Sequence, residues 1–250
     1  MTTDPQQAAA PGSHFVLEAR GAAAGYGDKT ILHALDLAIR PGELYALLGA
    51  NGAGKTTTLS LFLGFVAPTA GQVRVNGVDP AAQPAEARRH LAYIPENVAL
   101  YEHLTARENV AYLLELAGQR EPRAAIGAAL GTAGLDAAAH DRRVAGFSKG
   151  MRQKVAIALA SMRRVPALLL DEPTSGLDPQ ATVEFNRLLE QLRAQGTGIL
   201  MVTHDLLSAA DVADRIGFLD GGRLREEVGA SDAERFDVRA LHRRYGGQAA

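Results

Sequence analysis

Apolar and polar residues alternate over Phe15–Ala19 and again over Leu32–Ile39, the period of strands with one buried face. Arg40-Pro41-Gly42-Glu43 reads as a turn, and Leu44–Leu48 as a short apolar strand running into a glycine-rich stretch. A helix is expected to open at Gly54 and continue through Leu59–Gly64. After a turn at Pro68–Gly71, another short strand is predicted at Gln72–Val75. Residues 84–145 change character, being alanine-rich, helical in period and broken by Gly118, Pro122, Gly131 and Gly134. They predict a helical subdomain of about 84–160 inserted into the nucleus of the fold. From Ser148 helices and strands alternate: helix 148–163, strand 167–171, helix 180–194, strand 198–203, helix 206–212 and paired strands near 215–228. That rhythm implies a mostly parallel sheet covered on both faces. Glu234–Tyr245 reads as a short amphipathic terminal helix. The expected fold class is therefore α/β, with an antiparallel β subdomain ahead of the parallel sheet.

Composition narrows this picture only a little. At 250 residues and 47% hydrophobic content, the chain can bury a substantial core. A formal charge of −2 gives no basic field to draw it to nucleic acid. The chain has no cysteine, which excludes disulfides and thiolate metal sites and fits a reducing compartment. Residues 1–14, rich in Gln, Ala and Pro, read as a disordered tail with no secretory pattern. No apolar run approaches the ~18–20 residues of a spanning helix, so a soluble chain is expected, with any membrane role borrowed from a partner.

The chemistry sits in three places. Gly49-Ala50-Asn51-Gly52-Ala53-Gly54-Lys55-Thr56 fits Gly-x-x-x-x-Gly-Lys-Thr, after an apolar strand and at a helix start. Glycines there let backbone N–H groups converge on phosphate oxygens, and the helix N-terminus adds favourable partial charge. Lys55 can reach the β- and γ-phosphates of ATP, the Thr56 hydroxyl can ligate Mg²⁺, and Thr57 completes the binding stretch. The apolar strand Ala167–Leu170 delivers Asp171 to the sheet edge as a second Mg²⁺ ligand. Glu172 follows it, placed to polarise an attacking water. Ser148 is a good helix N-cap, and Gly150 permits close backbone approach, so that helix can aim its dipole at an anion.

Phe147-Ser148-Lys149-Gly150-Met151, Asp171-Glu172, Ser175-Gly176-Leu177-Asp178 and His204 occur in the order seen in ATP-binding cassette (ABC) ATPases. The resemblance covers about residues 15–228, within an expected ABC ATPase domain of 15–230, and it implies a P-loop NTPase core. In that family two such domains pack head to tail, each ATP lying between one phosphate loop and the other copy's signature segment. The resemblance assigns Tyr26 to stacking on adenine, Asp178 to the dimer interface, and His204 to the γ-phosphate. Lys149 and Met151 stand where the family usually has glycine and glutamine, and this Ser-Lys-Gly-Met form resembles the ABC-2 type exporter subgroup. Glu96 stands where a glutamine normally contacts Mg²⁺ and the lytic water. It is expected to remain a metal-facing, coupling residue. The segment through Tyr101-Glu102-His103-Leu104-Thr105 is where the family's helical subdomain meets membrane subunits.

The resemblance thus implies an ATP-hydrolysing subunit, dependent on ATP and Mg²⁺, that drives transport through a separate integral membrane permease. It also implies a second copy as partner, a place on the cytoplasmic face of the membrane, and no nucleic acid. Two other readings share some of these motifs. One is a soluble ABC ATPase outside transport, whose known branches carry two cassettes or long coiled coils. The other is a regulatory module with weak hydrolysis, which a phosphate-release assay separates from the enzyme.

Overall fold

The computed structural model describes residues 14–230 and 236–245. The expected tail over 1–14 and the first part of the terminal helix lie almost wholly outside them. Three strands, β1 (Leu17–Tyr26), β2 (Lys29–Ile39) and, after the phosphate-loop helix, β4 (Ala70–Val75), form an antiparallel sheet in the order β2-β1-β4. Between β2 and β4 come β3 (Leu44–Leu48) and α1 (Lys55–Phe62). The second sheet has six strands in the order β5-β6-β7-β3-β8-β9, comprising β3, β5 (Leu91–Ile94), β6 (Ala167–Asp171), β7 (Gly198–Thr203), β8 (Arg215–Asp220) and β9 (Arg223–Gly229). All its pairings are parallel except the hairpin β8-β9.

Alternation along the central strands builds two cores, one on each face of this sheet. Leu44, Ala46 and Leu48 of β3, Leu168 and Leu170 of β6, and Ile199 and Met201 of β7 belong to one apolar cluster. The residues between them, Tyr45, Leu47, Leu169, Leu200 and Val202, belong to the other. The second core is closed by α1 and by the antiparallel sheet through Leu17, Leu32, Leu35 and Ile39. The first is closed by α3 (Ala106–Leu116), α4 (Arg123–Thr132), α5 (Lys149–Arg163), α6 (Pro179–Ala194) and α7 (Leu206–Val212), the short α2 (Pro84–Ala87) lying before β5 and α8 (Val238–Tyr245) beside α7. The partly buried Met151, Leu159 and Met162 of α5 lie against this first core.

Two differences from the sequence reading are informative. The helical insert was expected from about residue 84, yet Leu91–Ile94 is a strand of the parallel sheet, paired along its length with β6. The helices proper begin at Ala106. A four-residue strand between polar turns has no room to show a period of its own. Its membership is set by its neighbour: Leu91, Ala92 and Ile94 are buried against the two cores. Likewise β1 runs on past Ala19 to Tyr26, through Ala- and Gly-rich sequence of low strand propensity, because β2 and β4 flank it on both sides.

The start of α3 is fixed locally. Thr105 accepts from the Glu108 amide at 3.1 Å, and Glu108 accepts from the Thr105 amide at 2.8 Å, a reciprocal capping box. Thr105→Ala should cost about 1 kcal/mol. For a domain of this size that corresponds to a fall of about 2–4 °C in Tm, readable by differential scanning calorimetry.

Candidate functional site

The phosphate loop, Asp171, Glu172 and His204 lie together at the C-terminal edge of the parallel sheet. Strand β3 lies between β7 and β8, where the chain's progression across the sheet reverses, and such switch points open a crevice beyond the strand ends. Gly49 follows β3, Asp171 ends β6 with Glu172 next, and His204 follows β7.

The phosphate loop turns on its glycines. A Cβ at Gly49 would stand 2.6 Å from the Leu219 carbonyl oxygen and 2.9 Å from the Ala53 Cβ. Gly54 has φ 112°, outside the reach of L side chains at reasonable cost. Helix α1 then begins with no side-chain cap and no acidic residue in its first turn, so its leading amides are left for an anion. Lys55 is buried, and its Nζ donates to the carbonyls of Gly49 (2.5 Å) and Ala50 (3.3 Å). Thr56, Asn51 and Gly52 face outward, while Ala53, Gly54 and Thr57 are buried under the loop.

Glu172 is the hub of the site. Its Oε1 lies 3.5 Å from Lys55 Nζ and 3.0 Å from His204 Nδ1. Its Oε2 accepts from Thr203 Oγ1 at 2.9 Å and from the His204 amide at 3.2 Å. Burial pushes this carboxyl up, but the bonds from His204 and Thr203 and the charges of His204 and Lys55 outweigh it. The result lies below the ordinary glutamate value. Glu172 is thus held as an anion, and its backbone has φ 44°, a left-handed conformation that costs a non-glycine residue about 1–3 kcal/mol.

Asp171 behaves in the opposite sense. Burial raises its pKa, the bond from Tyr93 Oη (3.3 Å) and the charge of Lys55 pull the other way, and the nearby Glu172 and Glu96 carboxylates add to the rise. Tyr93 in turn is pushed up to about 12 by burial and by Asp171. The Asp171, Glu172 and Glu96 carboxylates lie close enough to repel one another, and carboxylate oxygens are hard donors of the kind Mg²⁺ takes. Among the described residues no group of three or more His, Cys, Asp or Glu forms a metal site unaided.

The other predicted residues take separate stations. Glu96, just beyond β5, accepts from Ser175 Oγ at 3.3 Å and lies 3.7 Å from Lys149 Nζ. Ser148 caps α5 by accepting from the Met151 amide, and Gly150 is the second residue of that helix. A Cβ at Gly150 would meet only ordinary contacts, 3.5 Å from Leu177 and 3.8 Å from Ala181, so nothing within the chain requires glycine there. Asp178 is the N-cap of α6, accepting from the Ala181 amide at 2.9 Å. Tyr26 stands exposed at the β1-β2 hairpin tip, paired with Lys29. Ile31 and Leu32 of the same hairpin border Gly54.

Two residues were missed in the sequence. Tyr93 was hidden in a strand not recognised as one. Gln153 of α5 is buried and donates to the Pro173 carbonyl, one residue past Glu172. It fastens the helix begun by Ser148 to the strand end that bears the hub. Its position five residues after Ser148, on the buried side of α5, was the available signal.

A family profile described as ABC transporter matches residues 32–175. This chain belongs to the ABC transporter ATP-binding family. The linearmycin resistance ATP-binding protein LnrL of Bacillus subtilis (strain 168) is 34% identical over 211 residues, covering 84% of this chain and 68% of that protein. The spermidine/putrescine import ATP-binding protein PotA of Frankia alni is 40% identical over 201 residues, covering 79% of this chain and only 43% of its own. Among solved structures, a dimeric ATP-binding cassette in a post-hydrolysis state with ADP and phosphate superposes with a TM-score of 0.76. It is 26% identical and covers 86% of this chain and 99% of its own. The P-loop fold with its antiparallel and helical additions is therefore that of an ABC ATPase. No helix among the described residues is long and apolar enough to cross a membrane.

Proposed function

We propose that this ABC ATP-binding protein hydrolyses ATP as a head-to-tail pair and drives a separate membrane permease, as an exporter on the cytoplasmic face. The observation that carries the reading is the junction at Glu172, whose Oε1 lies 3.5 Å from Lys55 Nζ and 3.0 Å from His204 Nδ1, the three residues lying beyond the ends of three different strands.

In this reading the loop amides and the N-terminus of α1 receive the phosphates, and Lys55 turns from the Gly49 carbonyl toward the β- and γ-oxygens. Thr56 and Asp171, with Glu96 nearby, would hold Mg²⁺, which neutralises charge on the phosphates when bound. Glu172, ionised and fixed at both oxygens, takes the proton of the attacking water. His204 orients Glu172 through Nδ1, and its exposed ring is free to meet the γ-phosphate. Tyr26 offers an unburied ring for the adenine. Ser148 and Gly150 of the second copy would close over the nucleotide, with Asp178 of each copy at the seam. The glycine at 150 then has a reason that the single protomer does not supply.

A cleft of about 1020 Å³ beside the site supports the pairing. It is bordered by Gly49, Glu172, Ser175, Leu177 and His204, with the 66%-exposed Leu207 at its edge. On the helical subdomain Tyr101 and Tyr112, both half-exposed, meet edge to face at 5.1 Å beside the exposed Leu116. This is the surface offered to the permease. The exporter direction rests on the Ser-Lys-Gly-Met form of the signature segment, since the relatives above are named for resistance and for import alike. Phosphate release measured with and without the co-purified membrane protein tests the whole. ATP-dependent release that the permease stimulates is expected, and absence of release in both would overturn the enzyme reading.

Thr203→Val removes one of the two donors to Glu172 Oε2. Hydrogen bonds to charged groups contribute about 1.5–3 kcal/mol, so kcat should fall roughly 10-fold or more while ATP affinity is unchanged. Steady-state kinetics beside equilibrium nucleotide binding separates the two effects.

A further inference from the structure

Two departures from the family pattern, Glu96 and Lys149, lie 53 positions apart in the sequence and face each other in the fold. Glu96 Oε1 is 3.7 Å from Lys149 Nζ and also accepts from Ser175 Oγ. The lysine stem crosses the loop at Gly176, where an added Cβ would lie 3.9 Å from Cδ. Three segments thus converge on one carboxylate oxygen: the end of β5, the loop after β6 and the first turn of α5.

Lys149 occupies the first position of α5, whose first turn contains no acidic residue. A cation there opposes the positive end of the helix dipole, so the position calls for an anion. Within the protomer that anion is Glu96. The pair is only partly buried, with side chains 27% and 45% exposed, and its separation is long for a hydrogen bond. Such a pair is weak enough to be given up when a more highly charged anion arrives.

We propose that Lys149 exchanges counter-ions during closure: Glu96 of its own chain holds it in the free protomer, and the phosphate of the nucleotide on the second copy takes it in the dimer. Glu96 is then a positioning residue for the signature turn, and it sets the ATP concentration at which the pair closes. This inference rests on the two-copy arrangement proposed above.

The test uses full-length protein carrying Glu172→Gln, in which turnover is expected to be slowed about 10²–10⁴-fold, and titrates ATP while dimer is followed by analytical ultracentrifugation. Glu96→Gln frees the lysine, so half-maximal dimer should form at about 2- to 5-fold less ATP, the range set by a weak exposed pair. Lys149→Gln should raise the midpoint. The deciding measurement is Glu96→Gln made on top of Lys149→Gln: the shift should vanish there and reappear when position 149 is arginine. If Glu96→Gln moves the midpoint equally whether residue 149 is Lys or Gln, or moves it in neither, the exchange is overturned while the dimer stands. If no ATP-driven dimer forms even with Lys149 and Glu96 in place, the two-copy arrangement falls and the exchange with it.

Discussion

Glu172→Gln should lower ATP turnover about 10²–10⁴-fold while leaving nucleotide binding close to wild type. Glutamine preserves the shape at this position, and its carbonyl oxygen can still accept from Thr203 Oγ1 and the His204 amide. It cannot take a proton from water. It also removes the anion 3.5 Å from Lys55, leaving that ammonium freer for phosphate. Binding is therefore spared and chemistry lost, and the ATP-bound pair should accumulate. Single-turnover phosphate release, with sizing of the ATP-bound species, reads both. Turnover within about 3-fold of wild type would remove Glu172 from the role of base and return attention to Asp171.

Gly49→Ala should have the second largest effect, on both stability and nucleotide binding. The added methyl would lie 2.6 Å from the Leu219 carbonyl oxygen, and that atom belongs to the backbone of β8, where Leu219 pairs with Leu224 of β9 just past an irregularity in the register. A flexible side chain could move aside, but a sheet carbonyl can do so only by shifting the strand. The loop must move instead, at a cost of about 1–3 kcal/mol, the usual range for overpacking a filled site. Because Lys55 Nζ is seated on the Gly49 carbonyl, the shift also displaces the lysine. Chemical denaturation should show the loss of stability, and calorimetric titration should show ATP binding weakened well beyond what that loss explains. Unchanged binding would mean that the loop has slack that the packing around Gly49 does not suggest.

The parallel sheet was readable where its strands are buried on both faces. Leu44–Leu48, Ala167–Asp171 and Gly198–Thr203 carry apolar runs ended by glycine, by a carboxylate and by Thr203-His204 respectively, and their bounds emerged as expected. Leu91–Ile94 gave no such signal, being short, flanked by polar turns and next to alanine-rich sequence. Only its pairing with β6 makes it a strand. The site was legible for a related reason: the loop around Lys55, the Asp171-Glu172 step and His204 each occupy a strand end, which sequence can locate. What sequence could not show is partnership across the fold. The Tyr93 hydroxyl on Asp171, Gln153 on Pro173 and Lys149 on Glu96 join residues 20 to 78 positions apart. No local pattern encodes such distances.

The division of the interior into two separate apolar clusters sets the helices apart from the strands that carry the site. Lys55, Glu172 and His204 all hang from the rim of one hydrogen-bonded sheet, so the reacting groups share a stiff chassis. The helices that bear Ser148 and the Tyr101 surface rest on one face of that chassis, and the contact includes the unbranched, polarisable Met151 and Met162. Side chains of that kind repack under sideways load without opening a void. The layer beneath α5 can thus adjust its packing under the helix, while Gln153 keeps the start of that helix tied to the strand end that bears Glu172.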